Sequence, residues 1–228
     1  AAYRTALLSP DFLFLNEPAG QLDGYAVATR LSYFLWNSTP DDELLAAAKS
    51  GALNDPKGLR TAAERLLNDP KADRFFHDFL DQWLDLRDFD LTSPDKHLYP
   101  EFQPYLEDAM RREPREFFKY VIRNRFTASQ LLTTSVNIVS QRLAEHYGIS
   151  GVDGTRFRRI DVDQTKNTRG GLLTMAAVCK VTANGTTTSP VKRGAWVMKK
   201  ILGQPPQPPP PDVPAVEPDV KGLSLIHI

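Results

Sequence analysis

The chain has 228 residues, 41% hydrophobic and 25% charged, a composition ordinary for one or two globular domains. Lys+Arg and Asp+Glu both number 28, so no bulk charge draws it to nucleic acid or anionic lipid. Its one cysteine, Cys179, excludes an internal disulfide and any cysteine-based zinc site, and no run reaches the roughly 18 apolar residues of a membrane span.

Ala1 to Leu8 reads as the end of a helix broken at Ser9-Pro10, followed by a short apolar run from Phe12 to Leu15. From Leu22 a helix follows the 3.6-residue period through Tyr25, Ala28, Leu31, Ser32 and Leu35 and ends near Asn37. Thr39 is the predicted cap of the next helix, with Pro40 at its first position. Asp41, Asp42 and Glu43 then fall in the first turn, where the helix dipole favours carboxylates. Gly51 ends that helix. Lys57 to Leu67 is amphipathic and stops at Asn68-Asp69-Pro70; Lys71 to Asp88 follows, with Phe75, Phe76, Phe79, Leu80, Trp83 and Leu84 on one broad face.

Pro94 and Pro100 bracket a loop. Tyr105 to Arg123 is helical, and Pro114 should kink or divide it. Leu131 to Tyr147 reads as one helix with Gly148 at C′, and the stretch with strand character is Gly151 to Val162, predicted as a short hairpin. Leu172 to Val181 is apolar on nearly every side, which marks a buried helix. After the polar loop TANGTTT, Ser189 caps a helix with Pro190 at its first position; Gly203 suits C′ and Pro205 forbids continuation. The fold class predicted is all-α: a bundle of about eight or nine helices with a Pro-rich C-terminal tail. Three regions are expected: an N-terminal helical domain over 1–147, a helical-hairpin domain with its tail over 148–214, and a linker with an artefactual end over 215–228. The chain begins inside a helix and without Met, so it reads as a fragment, and His227 in the terminal GLSLIHI is not a site candidate.

No GxSxG, HExxH, GxGxxG, GxxxxGK[ST] or CxxCH occurs, so chemistry must come from constellations. Asp78, Asp81, Asp85 and Asp88 with His77 can be drawn on one helix side as metal ligands. The simpler reading is a solvated acidic stripe, because no second His stands at ligand spacing, and no metal is expected. Asp41, Asp42, Asp81 and Asp85 are the pool from which a carboxylate acid and base can be drawn, provided two converge in a cleft. Arg169-Gly170-Gly171 at a helix start can receive an anion, although close helix packing explains the glycines equally well. On the last helix Val191, Ala195, Met198 and Leu202 are expected to face the core. Trp196 then lies opposite among Lys192, Arg193, Lys199 and Lys200, as an anion or polymer site or as a surface for the proline tail. His146 is read as a helix C-terminal cation rather than a base.

Six ordered strings carry a resemblance. They are RLSYFLWNSTPDDELL (Arg30 to Leu45), DQWLDL (Asp81 to Leu86), RLAEHYGISGV (Arg142 to Val152), RGGLLTMA (Arg169 to Ala176), TSPVKRGAWV (Thr188 to Val197) and LGQPPQPPPPDVP (Leu202 to Pro214). Together they resemble two adjacent domains of unknown function, planctomycete-specific and planctomycete cytochrome c-associated, from large multidomain bacterial proteins. The resemblance implies an exported, extracytoplasmic protein whose other regions can carry haem c and carbohydrate-binding modules, and it supplies no catalytic residues. The expected role is a non-haem scaffold or substrate platform in redox-linked processing or binding of an environmental polymer such as a polysaccharide. Its partners are expected to be the other domains of the parent protein, with no cofactor in this chain. A carboxylate-dependent hydrolase and a purely structural interaction module are the alternatives.

Overall fold

A computed structural model describes residues 2–15, 17, 19–163, 165 and 169–207. The chain forms two compact units, 1–77 and 78–228. Helix propensity and capping account for most of the first. It holds α1 (Ala2–Leu7), α2 (Pro10–Leu13), α3 (Gly24–Trp36), α4 (Asp42–Lys49), α5 (Pro56–Asn68) and the first residues of α6 (Asp73–Trp83). Asp23 caps α3 by accepting the Ala26 N–H at 2.8 Å, and Asn37 closes it in the left-handed conformation. The α4 start predicted at Pro40 is displaced by two residues. Asp41 itself is the N-cap, because its carboxylate accepts the Leu44 N–H at 2.9 Å and leaves Pro40 outside the helix. Ala28, Leu35, Trp36, Leu44 and Leu66 form the core of this unit, and the Trp36 indole donates to Leu66 O at 2.9 Å. The run Phe12 to Leu15 is exposed.

The second unit begins within α6. The single helix predicted over 71–88 is three pieces: a 3-10 turn at Pro70–Ala72, α6, and a 3-10 stretch at Leu86–Leu91. Asp85, at φ +56, makes the break before the last piece; aspartate tolerates that region better than most residues. Next comes α7 (Pro104–Arg123), which runs through Pro114 without being divided. Its apolar stripe Leu106, Ala109, Met110, Pro114, Phe117, Phe118 and Val121 is buried and compensates for the one missing N–H.

The helix predicted over Leu131 to Tyr147 is replaced by α8 (Gln130–Thr133), strand β1 (Val136–Val139) and α9 (Gln141–His146). Strand β1 pairs antiparallel with β2 (Arg158–Asp161), Val136 opposite Asp161 and Val139 opposite Arg158. The strand at 158–161 therefore exists, but its partner lies across α9 rather than in a local hairpin. The apolar run from Leu172 gives a 3-10 turn at Leu172–Thr174 and then α10 (Ala176–Val181), and the last helix is α11 (Pro190–Lys200). Ser189 caps α11 by accepting the Lys192 N–H, and Gly203 stands at φ +66 beyond it. The fold is mostly helical, with eleven α-helices and one two-stranded sheet among the described residues. Residues 208–228, which include most of the proline tail and His227, lie outside them.

Candidate ligand-binding site

Two loops and four helices of the second unit enclose a cavity of about 290 Å3. Helix α7 contributes Leu106 and Met110, α9 contributes His146, α10 contributes Ala176 and Lys180, and α11 contributes Arg193. Loop 92–102 and loop 183–188 close it. They are tied together where Asp95 N donates to Gly185 O at 3.0 Å and the Tyr99 hydroxyl donates to Thr186 O at 3.0 Å. Asn184 shapes the second loop by accepting the N–H groups of Thr186 and Thr187 at 3.1 and 2.8 Å. Gly185 is required there: it stands at φ +93, and a Cβ would lie 2.5 Å from Ser93 O.

Three cations line this space. The Lys180 ammonium donates to the carbonyls of Phe89 and Thr92 and lies 4.1 Å from the Phe89 ring centroid. Burial pulls its pKa below the usual lysine range, Arg111 adds to that pull, and Asp90 and Glu107 oppose it. Arg193 donates from Nε to Thr182 Oγ1 at 3.1 Å and from Nη2 to Thr188 Oγ1 at 3.2 Å. Among the described residues neither Lys180 nor Arg193 has a carboxylate within ion-pair distance. The acids nearest Lys180, Asp90 and Glu107, are paired with Arg111 instead. Arg169 lies 3.8 Å from the Tyr147 ring centroid and donates to Thr174 O at 2.9 Å. Glu101 is the one lining carboxylate. His146, half-buried and beside Arg169, has its pKa lowered first by burial and then by that guanidinium.

Behind the cavity wall lies a buried acid. Glu113 sits on the apolar stripe of α7, 1% exposed, and receives the Tyr147 hydroxyl at 2.5 Å. Burial raises its pKa to about 8, against the pull of the Tyr147 hydrogen bond and of Arg169. It is therefore largely protonated at neutral pH.

The residues singled out in the sequence separate. Arg169 and Arg193 meet on the cavity. Gly170 donates its N–H to Thr174 Oγ1 at 2.9 Å, and a Cβ on Gly171 would lie 2.4 Å from Leu132 O, so close backbone approach accounts for the second glycine. Lys192 is exposed. Helix α11 is rotated relative to expectation: Trp196 is buried at 8% exposure, whereas Val191 is 83% exposed and Met198 and Leu202 also face out. The indole is the largest apolar side chain on the helix, and its burial outweighs leaving Val191 and Met198 outside.

The carboxylates are engaged with cations or solvent. Asp41 caps α4 and accepts both Arg65 Nη groups at 2.8 and 2.9 Å, which holds its pKa at about 2. Asp42 is exposed. Asp81 accepts Arg115 at 2.8 Å and Asp85 pairs with Lys200 at 2.5 Å. A carboxylate held by a cation is a poor proton donor, so Asp41 is not poised as a general acid. Among the described residues no group of three or more His, Cys, Asp or Glu side chains is close enough to hold a metal.

Sequence reading missed Lys180, His146 as a cavity wall, and Glu113. A signal existed for Glu113, which continues the buried spacing of Leu106, Ala109, Met110 and Phe117 at helical period.

Comparison with known families gives two adjacent matches. Residues 22–149 match PSD4, described as a protein of unknown function (DUF1592), and residues 169–226 match PSCyt3, described likewise (DUF1588). These are planctomycete-specific and cytochrome c-associated domains of unknown function, adjacent in sequence as the six strings imply. No curated protein and no solved structure matches the chain.

Proposed function

This chain belongs to the PSD4 family of proteins of unknown function (DUF1592), and on that premise we propose that it is the non-haem, substrate-holding region of a larger exported, cytochrome c-associated protein. Its second unit binds an acidic environmental polymer, and haem c is supplied by other domains of the parent protein. The observation that carries the reading is the cavity itself: an apolar space rimmed by Arg169, Lys180 and Arg193, the last two held by neutral acceptors. Lys180 and Arg193, preorganised on the lining by neutral acceptors and with no carboxylate at ion-pair distance among the described residues, are suited to an anionic ligand. Covalent haem does not fit the residues present, because thioether attachment in a CxxCH segment needs two cysteines and the chain has one.

The test is retention of the purified chain on immobilised polymers of both signs. Humic acid, which carries pendant aromatic carboxylates, should retain it, and dextran and chitosan should not. Equal retention on all three, or on none, overturns the reading.

A further inference from the structure

Resting on the reading of the second unit as a binding platform, we propose that its cavity takes one organic carboxylate with an apolar, aromatic-sized body, the acid directed at Lys180 and Arg193. Three features of the walls lead there. The first is mixed polarity. Phe102, Leu106, Met110 and Ala176 bring hydrocarbon to the same lining as the cations, with the Lys180 ammonium 5.6 Å from the Phe102 ring centroid. A bare inorganic anion would leave the apolar lining in contact with water, and a neutral hydrocarbon would desolvate the cations without a partner; either loses free energy relative to a ligand that is both.

The second feature is unused donor capacity. Arg193 directs Nε and Nη2 to Thr182 Oγ1, Cys179 O and Thr188 Oγ1, which fixes the guanidinium plane. Its Nη1 meets no acceptor among the described residues. Lys180 gives two of its three donors to Phe89 O and Thr92 O, so one remains. Held in place by neutral atoms, neither group is matched by a carboxylate at ion-pair distance among the described residues, and both lose little side-chain freedom when a ligand arrives.

The third is electrostatic. The lining carries Arg169, Lys180 and Arg193 against Glu101 alone, and His146 is held toward its neutral form by burial and by Arg169. The volume, about 290 Å3, is at the small end of ligand pockets, enough for a bicyclic acid and too small for a polymer chain to thread. What enters is one terminal or pendant unit.

The experiment is calorimetric titration of the full chain with 2-naphthoate, its neutral amide, glucuronate and inorganic phosphate. Naphthoate should bind at least about tenfold more tightly than each of the other three. Arg193→Gln and Lys180→Met should each weaken it by about tenfold or more, with thermal unfolding measured on every variant. Both side chains also hold backbone, so Ala183→Phe serves as an independent variant: it fills the cavity from the loop wall and should abolish binding. The amide binding as well as the acid overturns the charge assignment. Phosphate matching naphthoate overturns the apolar body. Retention on acidic polymer with no naphthoate binding sinks this inference and leaves the platform reading standing, whereas naphthoate binding without polymer retention does the reverse.

Discussion

The Tyr147 hydroxyl donates to Glu113 Oε2 at 2.5 Å and accepts the Ala176 N–H at 2.7 Å. One oxygen thereby joins α7, the end of α9 and the first residue of α10 behind the wall of the cavity. Each partner is buried, so each would carry a desolvation cost if left alone.

Glu113 makes stability depend on pH in a definite direction. Its folded pKa is raised to about 8 from the usual glutamate range, mainly by burial. Between those values the folded chain keeps a proton that the unfolded chain releases, so stability from this group is complete at low pH and is lost as pH rises toward about 8. Glu113→Gln retains an acceptor for Tyr147 and has no charge to bury. Urea unfolding at pH 5 and pH 8 should show the parent losing a few kcal/mol from this group and the variant losing none of it. Parallel losses in both would show that Glu113 ionises freely in the folded state.

Tyr147→Phe keeps the ring beneath Arg169 and removes only the bridging oxygen. Two buried groups, the Glu113 carboxyl and the Ala176 N–H, then lose a partner. The cost should be about 1–3 kcal/mol in denaturant unfolding. A double-mutant cycle with Glu113→Leu, which removes the acceptor, should give a coupling of at least about 0.5 kcal/mol. Additive effects would mean that the short contact contributes nothing of its own.

Local chemistry made most helices legible before any coordinates. The Ser189-Pro190 start and the Gly203 stop of α11 are fixed by caps that act within a few residues, so they can be read from the chain. Strand β1 was hidden because Val136 to Val139 is too short to show a period. Its β-branched composition, next to Thr133 and Thr134, was the available sign. The phase of α11 was misjudged because a hydrophobicity pattern weighs Val191, Met198 and Leu202 together against one indole, whereas it is Trp196 that is buried. The cavity was invisible for a different reason: its walls come from residues 92 to 193, brought together only by loop ties such as Asp95 to Gly185. No spacing rule encodes such a juxtaposition.

Asp41 offers a pH effect of the opposite sign in the other unit. Its pKa is held at about 2, first by the Arg65 hydrogen bonds and then by the Leu44 N–H. Its contribution is present above the ordinary aspartate range and fades as pH falls toward 2. Asp41→Ala should cost about 1–2 kcal/mol at pH 7 through the lost cap, with up to about 1 kcal/mol more from the partly exposed ion pair. Thermal unfolding at pH 7 and pH 2 should show the penalty shrinking at the lower pH. A penalty that persists at pH 2 would place the role of Asp41 in packing rather than charge.

The rotation of α11 can be tested by a pair of substitutions on its two faces. Trp196 is 8% exposed and Val191 is 83% exposed. Truncating a buried indole removes its transfer free energy and leaves a cavity that neighbours only partly refill, so Trp196→Ala should cost about 3–5 kcal/mol. Val191→Ser changes a side chain already in water and should stay within about 0.5 kcal/mol of the parent. Under the helix phase expected from hydrophobicity alone, the order would reverse. Trp196 has a further property that sharpens the comparison: its Nε1 is buried without an acceptor among the described residues. Trp196→Phe removes that unpaired donor along with part of the ring. It should therefore cost well under half of what the alanine change costs, because the lost contact area is offset by the desolvation penalty that disappears. A phenylalanine variant as unstable as the alanine one would show that the indole nitrogen is satisfied in solution.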